Sequence, residues 1–261
     1  MYFPHNLKLL KYRHLNFIKT VMVNFKLCPF RIAIKMPIFL FGKVDISDCK
    51  KGRAIFPNGV RRGMLCFGLN CSRLTGYHTP AISRFAINGV IEIRGHCDIA
   101  NGAMLEIQPK GKLILENDVW INSNLKLFAE EKIHIGEHVR MSWDVQIFDT
   151  DFHYMLRGEN GDVHKKTAEV FIGANSWICN RVTINKGSFL PDKTTVSSNS
   201  LVCRDFSELK SGSIIGGIPA KFLKDNSFRI VSLKIEFEID SRFENDMTKT
   251  SIHINDLENC F

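Results

Sequence analysis

The 261-residue sequence contains no CxxC pair, no apolar run of membrane-spanning length and no glycine-rich phosphate loop behind an N-terminal strand. Each absence removes a class. The eight cysteines make neither a zinc ribbon nor a regular disulfide framework, and most sit beside apolar residues, as small buried thiols do. They point to a reducing, cytosolic compartment. The most apolar segment, residues 30–42, is interrupted by Lys35 and Pro37. It is too short for the about 20 residues that a bilayer needs. The start of the chain scatters charges through its apolar residues and does not read as a cleavable leader. The missing phosphate loop disfavours a nucleotidyltransferase. Acidic residues are scarce in the first quarter, where thirteen Lys and Arg of residues 1–62 meet only Asp45 and Asp48. That basic arm suits an anionic partner (a phospholipid surface, a lipid-linked phosphate or nucleic acid) or is a plain solvated face. Of these partners nucleic acid is not the expected one.

Helical periodicity is confined to the ends. Residues 7–23 read as a basic, imperfectly amphipathic helix that caps the body or lies on a membrane surface. From Val44 onward neither the 3.6 period of a helix nor the two-residue alternation of an antiparallel sheet is found. A six-residue period replaces them. Aliphatic residues recur at Ile172, Ile178, Ile184, Leu190, Val196 and Val202. Small or β-branched residues follow four positions later at Ser176, Val182, Ser188, Thr194 and Ser200. Shorter runs repeat the spacing at Ile87, Ile93, Ile99 and Leu105, at Ile135, Met141 and Ile147, and, offset, at Leu115, Ile121 and Leu127. Six residues suit one flat face of a triangular solenoid, with the aliphatic side chain inside and turn residues at the corners. The expected fold is therefore all-β, a parallel β-helix.

The runs are broken at one informative place. The aliphatic due after Ile147 is His153, and order resumes at Ile172. Residues 153–171 read as a loop thrown out from the scaffold, where chemistry concentrates. Three parts are expected: a basic, partly helical arm at 1–43, a solenoid at 44–207 with the loop, and a closing segment with tail at 208–261. The apolar stretch 228–239 is expected to dock on the body and 245–256 to be mobile.

Three segments resemble the hexapeptide-repeat acyltransferases, in the branch of maltose, galactoside and surface-polysaccharide O-acetyltransferases. They are IGANSWICNRVTINKG at 172–187, IIGGIPAKFLK at 214–224, and FDTDFH at 148–153. The resemblance covers about residues 87–224. The leader at 25–46 is similar in texture to acyltransferases of capsule or lipopolysaccharide synthesis. The resemblance implies a left-handed solenoid and a homotrimer. It also implies an enzyme that moves an acetyl group from acetyl-CoA to a sugar hydroxyl of a surface polysaccharide or its precursor. With the cytosolic compartment, the basic arm adds the expectation of a peripheral contact at the inner membrane face or with a lipid-linked glycan.

The resemblance makes His153 the general base, a role suited to a side chain that titrates near neutrality. Asp149 and Asp151 are candidates to orient it, since alternate residues of an extended chain share a face. Asn180, Ser198, Cys203 and Arg204 are implied to line the coenzyme A path, with Lys221 and Lys224 for its phosphates. Trp177 either walls the site or packs, and Asp144 is placed near the acceptor. Cys179 stands where the family has glycine, which narrows that path. His96, His134, His138 and His164 read as corner or surface residues. No metal is expected, because His134 and His138 are four apart rather than the five of solenoid carbonic anhydrases. Acetylation of an antibiotic or free sugar and a non-enzymatic scaffold are the alternatives.

Overall fold

A computed structural model describes residues 14–70, 82–158, 161–246, 248 and 250–254. Cys71, Cys260 and the first part of the expected N-terminal helix lie outside the described residues. The body is a three-faced parallel solenoid. Its first face has nine strands, from Ile38–Leu40 to Ala220–Lys224. The second has seven, from Val44–Asp45 to Leu201–Val202, and the third has six, from Ala54–Ile55 to Phe189–Leu190.

The six-residue period is the interior of this prism. On the first face Phe67, Ile99, Ile121, Met141, Ile178, Val196 and Ile215 stack in register, each at most 1% exposed. Ile93, Leu115, Ile135, Ile172 and Leu190 do the same on the third face. The small residues Ser176, Ser188, Thr194 and Ser200 are buried beside the corners. There Ser188 and Thr194 donate their hydroxyls to the backbone oxygens of Val202 and Pro191. The stacked pairs also explain the offset of the 115–127 run. One coil advances 22 residues from Ile99 to Ile121, 20 to Met141, 37 to Ile178 and 18 to Val196. Longer corners lengthen the early coils, and the loop makes the 37.

Corners recur as columns of left-handed residues. Gly102, Asn124, Asp144, Arg181 and Asn199 turn the chain from the first face to the second, all with positive φ. Asn and Asp adopt this region with least strain, which is why they crowd the corners. Gly173 is required for space: a Cβ there would lie 2.5 Å from the Asp192 nitrogen of the next coil.

Both ends are closed. α1 (Phe17–Leu27) lies across the first strand, whose outer edge would otherwise be unpaired. The Asn24 side chain accepts from the Ile38 N–H at 3.1 Å and donates to the Ile38 carbonyl at 2.6 Å. The Thr20 hydroxyl accepts from the Leu40 N–H at 3.0 Å. α2 (Phe30–Ala33) follows. The first coil thus opens at Ile38, six residues ahead of Val44. At the other end Ala220–Lys224 folds back antiparallel on Ile214–Gly217. α3 (Leu233–Asn245) buries Ile235 and leaves Phe237 71% exposed, so the apolar tail docks along one side only. The six described cysteines are free. Burial pushes the Cys28 thiol up to about 12, as expected of an inert packing thiol.

Ile184 is fully buried between Ile147 and Val202. Ile184→Ala is expected to cost about 2–5 kcal/mol in urea unfolding, because the rigid ladder collapses poorly around a cavity.

Candidate active site

The loop leaves the solenoid at the corner between the second and third faces. Phe148 closes the strand Gln146–Phe148, and the chain rejoins the third face at Val170–Ile172, so Val170 and Phe171 belong to the scaffold. Thr150 and Thr167 bridge its two stems, and a hairpin of Leu156–Arg157 with Asp162–Val163 forms its outer part. His153 sits just past the first stem. It is exposed, and its imidazole has no hydrogen-bond or ion-pair partner among the described residues.

The carboxylates beside it are otherwise employed. Asp149 is completely buried and accepts from the backbone N–H groups of Glu130 at 2.7 Å and Glu131 at 2.8 Å. Burial raises its pKa, against the opposing pull of those N–H donors. Asp151 pairs with Lys186 of the next coil at 2.7 Å, and Lys186 also donates to the Lys165 carbonyl. The extended geometry expected to align Asp149, Asp151 and His153 is not adopted. Phe152 is left-handed, with φ 63°, and the His153 N–H bonds the Asp151 carbonyl in a tight turn. That turn breaks the alternation on which the alignment depended.

Sequence reasoning missed what pins the loop. The Phe152 ring lies 4.9 Å from Phe128 and 5.6 Å from Phe148, two aromatic residues on the outside of stacked strands. Lys166 pairs with Glu130 at 2.6 Å and Lys165 with Glu131 at 2.7 Å. Burial alone would raise the Glu130 pKa, but Lys166 and the Thr150 hydroxyl hold it below its ordinary value. The signal was present: Phe128 and Phe148 each follow the inward aliphatic of their coil.

The other predicted residues form two groups. Asp144 and Asn180 occupy the corner between the first and second faces, in consecutive coils. Asp144 accepts from the Asn124 amide at 3.0 Å, and the Ser198 hydroxyl donates to the Asn180 side-chain oxygen at 2.7 Å. Cys179 is half-buried there, and desolvation raises its pKa against a bond from Ser198. The closing hairpin starts beside this corner, where the Gly217 N–H bonds the Ser200 hydroxyl at 3.1 Å. It reaches Arg204, which donates to the Ala220 carbonyl at 3.3 Å and lies 4.8 Å over the Phe206 ring. Cys203, Lys221 and Lys224 are exposed around it. Asn180, Ser198, the hairpin turn and Arg204 therefore make one continuous band. Trp177 lies on the outside of the first face, 39% exposed, between Arg140 and Thr195. Asp144 and Asn180 are separated from the root of the loop by the width of the second face, about 15 Å for five extended residues.

Three other described histidines are held in carboxylate pairs. His134 lies 2.9 Å from Glu116, His138 2.8 Å from Asp118 and His96 3.1 Å from Asp98, each within a different local pair. His164 is exposed in the loop.

No family model matches the chain. It is 31% identical over 204 residues to an uncharacterized 24.8 kDa protein in the cps region of Klebsiella pneumoniae, covering 78% of this chain and 86% of that one. Over 108 residues it is 26% identical to the galactoside O-acetyltransferase of Escherichia coli K12, covering 41% of this chain and half of the enzyme. The chain belongs to the hexapeptide-repeat acyltransferases. The solved polysialic acid O-acetyltransferase OatWY superposes with a TM-score of 0.44 at 20% identity, covering 77% of this chain and 95% of that one.

Asp149→Ala strands two buried N–H donors and is expected to cost about 2–4 kcal/mol in urea unfolding. Asp149→Asn keeps one acceptor oxygen and should lose about half as much. No loss on Asp149→Ala would show that the carboxylate does not hold this corner.

Proposed function

We propose that this family member is an acetyl-CoA-dependent O-acetyltransferase acting on a sugar hydroxyl of a surface polysaccharide or its precursor in the cytoplasm. The observation that carries it is His153: an exposed imidazole without a partner among the described residues, on a pinned loop that interrupts the hexads between Ile147 and Ile172. The acceptor class rests on the galactoside O-acetyltransferase relative and on the motif likeness to the surface-polysaccharide branch.

In this reading His153 removes the proton of the acceptor hydroxyl as its oxygen attacks the thioester carbonyl. The tetrahedral intermediate collapses, the C–S bond breaks, and the thiolate of coenzyme A takes the proton back from His153. Asp149 and Asp151 act as positioning residues. Asp149 fixes the foot of the loop, and Asp151 ties it to the next coil through Lys186. Asn180, Ser198, Cys203 and Arg204 line the pantetheine and adenine path, with Trp177 as a wall. Lys221 and Lys224 meet the phosphates, and Asp144 faces the acceptor. Cys179, bulkier than the family's glycine, narrows the path between Asn180 and Ser198.

The second face separates Asp144 and Asn180 from His153, which favours a homotrimer whose sites lie between subunits. There the loop of one copy would meet the band of the next.

With acetyl-CoA and candidate glycans, His153→Ala is expected to lower kcat by about 10²–10⁴-fold, while coenzyme A still raises the melting temperature. Co-expressing His153→Ala with Asn180→Ala should restore part of the activity that neither has alone. Undiminished turnover of His153→Ala would remove it from the mechanism, and failure to complement would place each site within one chain.

A further inference from the structure

The N-terminal end of the solenoid carries a surface that acyl transfer does not require. α1 is apolar on two opposite sides. Val23 and Leu27 face the first coil, together with the edge-capping Thr20 and Asn24. On the far side Ile18, Val21, Met22 and Phe25 follow the i, i+3, i+4, i+7 spacing of a single helical stripe. Ile18 is 72% exposed, Met22 55% and Phe25 40%. α2 extends the stripe: the Phe30 ring lies 5.9 Å from Phe25, and Phe30 and Ile34 are largely exposed. A contiguous exposed apolar stripe marks a surface that a partner or a membrane covers.

The charge around this stripe selects what covers it. Residues 14–62 hold ten Lys and Arg and two acidic residues, Asp45 and Asp48, both bonded to Arg84. Lys26, Arg31 and Lys35 are exposed within or directly after the same two helices. A second copy of the same patch would set these cations against their own kind, which disfavours self-association. An anionic bilayer satisfies both properties. The apolar side chains enter the boundary between headgroups and acyl chains, while Lys and Arg meet the headgroup phosphates.

We propose that α1 and α2 form an in-plane docking surface for anionic phospholipid. The solenoid would stand on the membrane by its N-terminal end. No helix among the described residues is long and apolar enough to cross a bilayer, so the contact is interfacial. The surface is independent of the acyl-transfer reading, and its test does not measure activity.

The test is co-sedimentation of the full chain with phosphatidylcholine vesicles, with and without about one third phosphatidylglycerol. Binding is expected only to the anionic vesicles and should weaken with added salt. The double variant Ile18→Glu with Met22→Glu should reduce it at least about tenfold, since it places carboxylates in the apolar stripe. The charge variant Lys26→Gln, Arg31→Gln, Lys35→Gln should reduce it by about 100-fold. All five positions are exposed, so the melting temperature should not change. Should one variant fail to fold, the other still decides. The proposal is overturned if the chain ignores anionic vesicles, or if both folded variants bind as well as the parent. It is also overturned if Ile18→Glu with Met22→Glu instead dissolves a vesicle-free oligomer in analytical ultracentrifugation, which assigns the stripe to a second copy.

Discussion

Everything in this molecule depends on the vertical stacking of one inward side chain per face per coil. Each inward aliphatic stacks on the one above and the one below within one shared core, and the backbone ladder locks that register. Ile121, Met141, Ile178 and Val196 stay in a single column although the coils between them differ by almost twenty residues. A coil can lengthen only by pushing residues out at a corner. The loop bearing His153 follows from that rule. Its insertion changes the length of one coil and leaves the register of both neighbours intact.

An expelled loop would be of little use if it swung freely. Here its foot is tied at three levels. The buried Asp149 carboxylate closes the preceding corner, the Phe128–Phe148–Phe152 cluster holds the first turn against the second face, and Lys186 reaches down from the coil above to Asp151. These ties use groups that the scaffold already presents, which are corner N–H donors, outward aromatics and a corner lysine. The histidine itself is left with its imidazole unengaged. Rigid support behind that side chain fixes where it sits on the scaffold, while both ring nitrogens stay available.

The sequence made some of this legible and concealed the rest, for identifiable reasons. The hexads from Ile172 to Val202 could be read directly because a strict period survives wherever corners are short. The coils before Ile87 could not. Their inward positions include Phe67 and Phe85, Leu65–Leu69 carries a register shift at Gly68, and the first strand is reached only through two helices. His153 was legible as an interruption. The fate of its neighbouring aspartates was not, because one left-handed residue, Phe152, redirects the chain. Local alternation rules hold only while the backbone stays extended. The bonds of Asp149 and Lys186 join residues 18 to 35 positions apart, a separation that no local pattern encodes.

The two closed ends have a consequence for assembly. An uncapped parallel ladder is a template for unlimited axial growth, and a solenoid with bare ends would extend into fibres. Here the first strand spends its edge on the amide of Asn24 and the hydroxyl of Thr20, which no incoming strand can displace without unpicking a helix. The last strand runs against the grain of all the others and carries Lys221 and Lys224 on its rim. Both devices oppose the addition of further strands along the axis of the first face.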